Sequence, residues 1–195
     1  MPREAHIERQ TGETSVSVRL NLDGTGKYTL DTGVGFYDHM LSHIAKHGLF
    51  DLVVQATGDV EVDNHHLVED VGIVLGQAFH EAVGDKAGLV RFGSGLCPLD
   101  EALVIVVLDF SGRGHLACDL SLPAQRVGKF DTELAREFLH AFAQNARISL
   151  HVIQQAGGNA HHVLESAFKS LGRALDQATR IDERRADVPS TKGTL

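Results

Sequence analysis

The chain has 195 residues, 43% hydrophobic and 23% charged, with a formal net charge of -8 from 26 acidic and 18 basic side chains. That length supports a full hydrophobic core, as one domain or two closely packed halves. The acidic balance argues against a nucleic-acid binder but leaves room for an anionic small molecule held by a few local Arg and Lys residues, and no apolar run is long enough to span a bilayer.

The start, Met1-Pro2-Arg3-Glu4, lacks the apolar stretch of a secretory signal. Cys97 and Cys118 are the only cysteines and read as reduced thiols of a cytoplasmic protein. Residues 15–22 alternate polar and apolar side chains, which predicts a half-buried strand ending in an Asp23-Gly24 turn. Residues 36–47 have helical spacing and stop at Gly48. A strand over 49–56 and an amphipathic helix over 65–83 follow. Residues 102–110 are apolar and branched, predicting a buried strand. The turn Ser111-Gly112-Arg113-Gly114 lets 115–122 return as its partner. Residues 132–146 read as a helix, 148–154 as a strand, 161–179 as an amphipathic helix, and the tail from Asp182 as irregular.

Each half therefore ends helix, strand, helix: an internal duplication, with halves of about 1–92 and 93–195 in one domain. The predicted class is α+β, two duplicated two-layer halves with helices on one face of each sheet.

Histidine carries the chemistry. Of 12 histidines, seven cluster as His39, His43 and His47, His65 and His66, and His161 and His162. Both final helices open with His-His-x-x-Glu, as His65-His66-x-x-Glu69 and His161-His162-x-x-Glu165. Residues three and four apart share a helix face, so each Glu lies beside its histidines. Adjacent histidines diverge by about 100°, so the natural solution is two ions, each taking one His from each pair, or a His turned toward a neighbouring subunit. Imidazole with carboxylate and no thiolate suits manganese, iron or zinc, with manganese preferred. One such pair could be a polar helix cap; two in matching positions of a duplicated chain point to a metal. Aligning the halves on Leu52 and Leu150 places Glu137 opposite His39, making both candidate ligands, with His151 a competitor.

The segments TGET (11–14), DTGVGFYDHML (31–41), DNHHLVEDVG (63–72), RFG (91–93), PLDEAL (98–103), DFSGRGHL (109–116), GGNAHHVLESAFKSL (157–171) and PSTKG (189–193) make the chain resemble the imidazoleglycerol-phosphate dehydratases from end to end. The resemblance implies a hydro-lyase of histidine biosynthesis with two Mn2+ per active site, sites built between subunits, and a 24-subunit assembly. The ligands it implies are His39, His65, His66, Glu69, His161, His162 and Glu165. At position 137, where many relatives carry His, this chain has Glu137. Arg91, Arg113, Ser190, Thr191 and Lys192 become candidates for the substrate phosphate, and Glu13 for a substrate-contacting glutamate. The implied reaction removes water from imidazole glycerol phosphate to give imidazole acetol phosphate. The metals hold the ring as imidazolate, Glu165 is the candidate acid/base, and Glu13 and Glu69 are runners-up. A non-catalytic metal-binding assembly protein is the alternative; a metal hydrolase is disfavoured by the absence of HExxH spacing.

Overall fold

The structure, a computed structural model, describes residues 3–195; Met1 and Pro2, at the start of the segment read as carrying no secretory signal, lie outside the described residues. The first sheet comprises β1 (Glu4–Gln10), β2 (Thr14–Asn21), β3 (Tyr28–Asp31) and β4 (Asp51–Gly58), ordered β1-β2-β4-β3. With β5 (Phe92–Leu99), β6 (Ala102–Asp109), β7 (His115–Asp119) and β10 (Ser149–Ala156), the second sheet repeats that order as β5-β6-β10-β7. A small hairpin, β8 (Arg126–Val127) and β9 (Phe130–Asp131), lies between β7 and the third helix. The registers repeat too: Leu20 pairs with Leu52 in one sheet, and Leu108 with Leu150 in the other.

The predicted α+β class holds, and each element follows from its pattern. In β2, Thr14, Val16, Val18 and Leu20 alternate inward; in β6, Ala102, Val104, Val106 and Leu108 do the same. The helices α1 (Gly35–Gly48), α2 (His65–Ala82), α3 (Leu134–Ala146) and α4 (Ala160–Thr179) bury their apolar stripes against these faces and against one another. α1 and α3 both end in a left-handed residue, Leu49 at φ 60° and Arg147 at φ 53°. The reversal therefore falls one residue after Gly48, which delays the following strand to Asp51.

The segment after the 111–114 turn departs from expectation. β7 does not return beside β6. It runs parallel to β10, with Leu116 opposite Leu150. Both edges of β6 are taken, by β5 and β10, so no ladder is left for a hairpin partner.

Helices pair as α1 with α4 and α2 with α3. Each pair closes on a glycine: a Cβ at Gly172 would lie 2.9 Å from the Ile44 carbonyl oxygen, and one at Gly76 2.7 Å from that of Phe142.

α4 is also bonded directly to the second sheet. Cys97 and Val104 are paired residues of β5 and β6. The Ser166 hydroxyl donates to the Cys97 carbonyl (2.6 Å) and accepts from the Val104 N–H (2.8 Å). The Ser170 hydroxyl donates to the Val104 carbonyl (2.8 Å) and accepts from the Cys97 N–H (3.0 Å). Both serines are fully buried, and Gly95 makes room because any side chain there would meet the Ser170 carbonyl. Ser166→Ala removes the partner of a buried N–H and C=O, a cost of about 1–3 kcal/mol. The urea midpoint should fall at unchanged m value; an unshifted midpoint would show that the hydroxyl holds nothing.

Candidate active site

The two His-His starts are pinned by the residues before them. Asn159 caps α4, its side-chain oxygen accepting from the N–H groups of His161 (2.9 Å) and His162 (3.4 Å). At α2, Asp63 accepts from the His65 N–H (2.7 Å). The following imidazoles are therefore set in direction by the backbone as well as by their own rotamers.

One carboxylate gathers the histidines of α1 and α4. Glu165 Oε2 lies 3.0 Å from His39 Nε2, 3.1 Å from His161 Nε2 and 3.6 Å from His43 Nε2. Its other oxygen pairs with Lys169 Nζ at 2.6 Å. The donor atoms of His39, His43 and Glu165 lie within 4.8 Å of one another. Burial alone would raise the Glu165 carboxyl, but the Lys169 bond and the surrounding histidines bring it down to about 2. Burial lowers His43 to about 4. The Phe36 ring, its centroid 5.2 Å from that of His161 in a T-shaped contact, closes one side. An all-imidazole-and-carboxylate donor set of this kind fits manganese, iron or zinc.

The equivalence of the halves carries this arrangement to the other helix pair, where His39, His161 and Glu165 correspond to Glu137, His65 and Glu69. These three sit half-buried on α3 and α2, and among the described residues none of their side chains makes a hydrogen bond or ion pair. The two remaining histidines point elsewhere. His66 Nδ1 lies 3.0 Å from Asp59 and 3.7 Å from Glu13, and this second group also lies within 4.8 Å. The bond to Asp59 raises His66 above the ordinary histidine range. His162 Nδ1 donates to Glu101 Oε2 at 2.7 Å. That bond raises His162 and holds Glu101 at about 2. His151 is exposed, on the face of β10 opposite the buried Leu150 and Val152, and its ring lies 6.1 Å from that of His115. It stands apart from the candidate ligands on the helices.

The phosphate candidates converge in a separate cleft of about 820 Å3 lined by Arg91, Arg113, Ser190, Thr191 and Lys192, with Arg184 and Arg185 at its wall. Arg91 is already committed. Its Nε (2.6 Å) and one terminal nitrogen (3.0 Å) grip both oxygens of Asp109, and the other donates to the Pro189 carbonyl at 2.6 Å. It ties the 189–192 segment to the sheet with three of its five N–H groups. The cleft also lies at the far end of α4: the Arg91 N–H donates to Ala178, about 25 Å along the helix from His161 at ~1.5 Å per residue.

A model of the imidazoleglycerol-phosphate dehydratase family matches residues 32–175. The chain belongs to that family. The dehydratase of Thermoanaerobacter sp. (strain X514) is 60% identical over 193 residues, covering 99% of this chain and 100% of that one; the dehydratase of Moorella thermoacetica is 56% identical over the whole of both. Among solved structures, the dehydratase of Pyrococcus furiosus in complex with (S)-C348 superposes with a TM-score of 0.85 at 38% identity, over 97% of this chain and all of that one. The Staphylococcus aureus N315 enzyme superposes at 0.83 and 38% identity, over 92% and 99%. Like these dehydratases, the chain is a hydro-lyase acting on imidazoleglycerol phosphate in histidine biosynthesis.

The geometry adds three residues to the candidates read from sequence: His43, Lys169 and Glu101. The first two lie one helical turn beyond His39 and Glu165, so their proximity was available from spacing alone. Glu101 was available only by matching the hairpins of the two halves.

The Arg91 attachment is testable. Arg91→Lys cannot keep a two-pronged grip on Asp109 and also reach Pro189. Losing about 1.5–3 kcal/mol of charge-assisted bonding should speed amide exchange in residues 190–195 roughly tenfold or more. Unchanged exchange would return Arg91 to the list of free phosphate ligands.

Proposed function

We propose that the dehydration takes place at a site completed by two Mn2+ ions and shared between copies of the chain. The observation that carries this reading is the convergence of His39 and His161 on the Glu165 carboxylate; the duplication extends it to Glu137, His65 and Glu69 on the other helix pair. When bound, the ions would supply Lewis acidity to the substrate's imidazole ring, the electron sink attached to the carbon that loses hydroxide; the proton leaves the next carbon along.

His39, His161 and Glu165 hold one ion and Glu137, His65 and Glu69 the other, with His66 and His162 completing the sets from other copies. Two features support sharing. His66 and His162 are oriented by carboxylates outside these clusters, and the phosphate cleft lies too far along α4 for a small substrate to span both within one chain. Arg113, Ser190, Thr191 and Lys192 bind the phosphate, and Arg91 holds the cleft in shape. The resemblance supports an assembly of 24 subunits and a cytoplasmic location; no helix of the described residues is long and apolar enough to cross a membrane.

Proton transfer falls to Glu13 rather than Glu165. Both Glu165 oxygens are engaged, by Lys169 and by the histidines, and Glu69 is its counterpart in the other half. The Glu13 side chain is 58% exposed, and its one ion pair is loose, 3.7 Å from His66. It can therefore turn to a substrate once hydroxide has left the carbon bearing the ring, take the proton from the neighbouring carbon to give the enol, and return it to the ring-bearing carbon as the enol becomes a ketone; the enol O–H proton and the departed hydroxide make up the water released.

The protein purified with Mn2+ should hold two ions per chain and convert imidazole glycerol phosphate to the acetol phosphate, and EDTA should stop it. Metal uptake without turnover would favour the non-catalytic assembly reading. Glu13→Gln should lower kcat by about 10²–10⁴ with metal content intact. Full turnover in Glu13→Gln, with turnover lost and metal retained in Glu165→Gln, would return the proton step to Glu165.

A further inference from the structure

The hairpins β1–β2 and β5–β6 are duplicates, so the glutamate just before β2 and the one just before β6 occupy the same place: Glu13 precedes Thr14, and Glu101 precedes Ala102. Each faces the second histidine of its half, Glu13 toward His66 Nδ1 at 3.7 Å and Glu101 toward His162 Nδ1 at 2.7 Å. The difference in distance has a local cause. In the first half, Asp59 follows β4 directly and takes His66 Nδ1 at 3.0 Å. In the second half the residue following β10 is Gly157. A Cβ there would lie 2.8 Å from Ala102 Cβ and Val163 Cγ2, and its φ is +123°, so no carboxylate fits. Glu101 takes over that duty. Its Oε1 accepts from the N–H groups of Gly158 (3.3 Å) and Asn159 (3.0 Å), while Oε2 is left for His162.

We infer that Glu101 is a positioning residue for the metal: it fixes His162 as the Nδ1–H tautomer so that Nε2 presents its lone pair to an ion, and the two duplicated glutamates have divided labour, Glu101 to hold a ligand and Glu13 to meet substrate. A carboxylate accepts and cannot donate, so the imidazole nitrogen facing it must carry the proton. Supporting partners of this kind typically change metal affinity by about 10–100-fold. The inference rests on the metal reading above.

Glu101→Gln separates the two jobs of this side chain. Two backbone N–H groups keep the amide oxygen at the Oε1 position, so the NH2 group turns to His162. It donates to Nδ1 and moves the ring proton to Nε2, which blocks the metal-facing nitrogen. Chelator-stripped wild type and Glu101→Gln are titrated with MnCl2 by calorimetry, and their metal-free thermal midpoints compared. The expected result is one class of site weakened about 10–100-fold, the other unchanged, and equal metal-free midpoints. Unchanged affinity for both ions overturns the inference alone. So does a fall in the metal-free midpoint with both classes weakened together, since that is a structural role. Wild-type protein that takes up no Mn2+ overturns the metal reading, and this inference with it.

Discussion

The attachment of α4 to the second sheet is the constraint on which the rest depends. Helices usually rest on sheets through apolar side chains, which tolerate sliding. Here two hydroxyls bond to both members of a strand pair, and a glycine in one of those strands admits the helix backbone. Rotation or translation of α4 would strand four buried backbone groups, so its azimuth is fixed. His161, His162, Glu165 and Lys169 all ride on that helix. Glu165 stands next to Ser166, so the residue that gathers the histidines inherits the position set by the one that bonds to the sheet.

The second theme is a duplication that kept its geometry and exchanged its chemistry. Sheet order, register and the glycine crossings repeat, while functional side chains trade identity between halves. Glu137 stands where His39 stands. Asp59 has Gly157 as counterpart, and Glu101 does in one half what Asp59 does in the other. The exchange of His39 for Glu137 lies outside the buried core, where a different side chain changes charge and reach without disturbing packing; at Gly157 the packing of Ala102 and Val163 is what forces the change.

Much of this was legible beforehand because it depends on periodicity. All four helices and the strands β2, β4, β6 and β10 followed from apolar spacing, and pairing His-His-x-x-Glu with the duplication singled out most of the candidate ligands. The strands that were missed have weak patterns. β1 is mostly polar, β3 has four residues, and β5 places Gly93 and Gly95 at its inward positions, where α4 needs space rather than side chains. The parallel pairing of β7 was hidden because a strand's neighbour is decided by which edges are free, a property of the whole sheet. Arg91 read as a phosphate ligand because its type fits; only the fold reveals that its guanidinium also bonds Asp109 and Pro189.

The histidine pairs open α2 and α4, and this has an electrostatic consequence. A helix start carries roughly half a positive charge from its unpaired N–H groups, a field that favours anions and works against a cation held one turn away. Asp63 and Asn159 absorb part of that field by accepting those N–H groups. Asp59, Glu13 and Glu101, crowded against the same two turns, add negative charge around the imidazoles. On the metal reading proposed above, the chain's acidic surplus has a local use: the rings supply direction, while the carboxylates around them make the neighbourhood hospitable to a doubly charged ion.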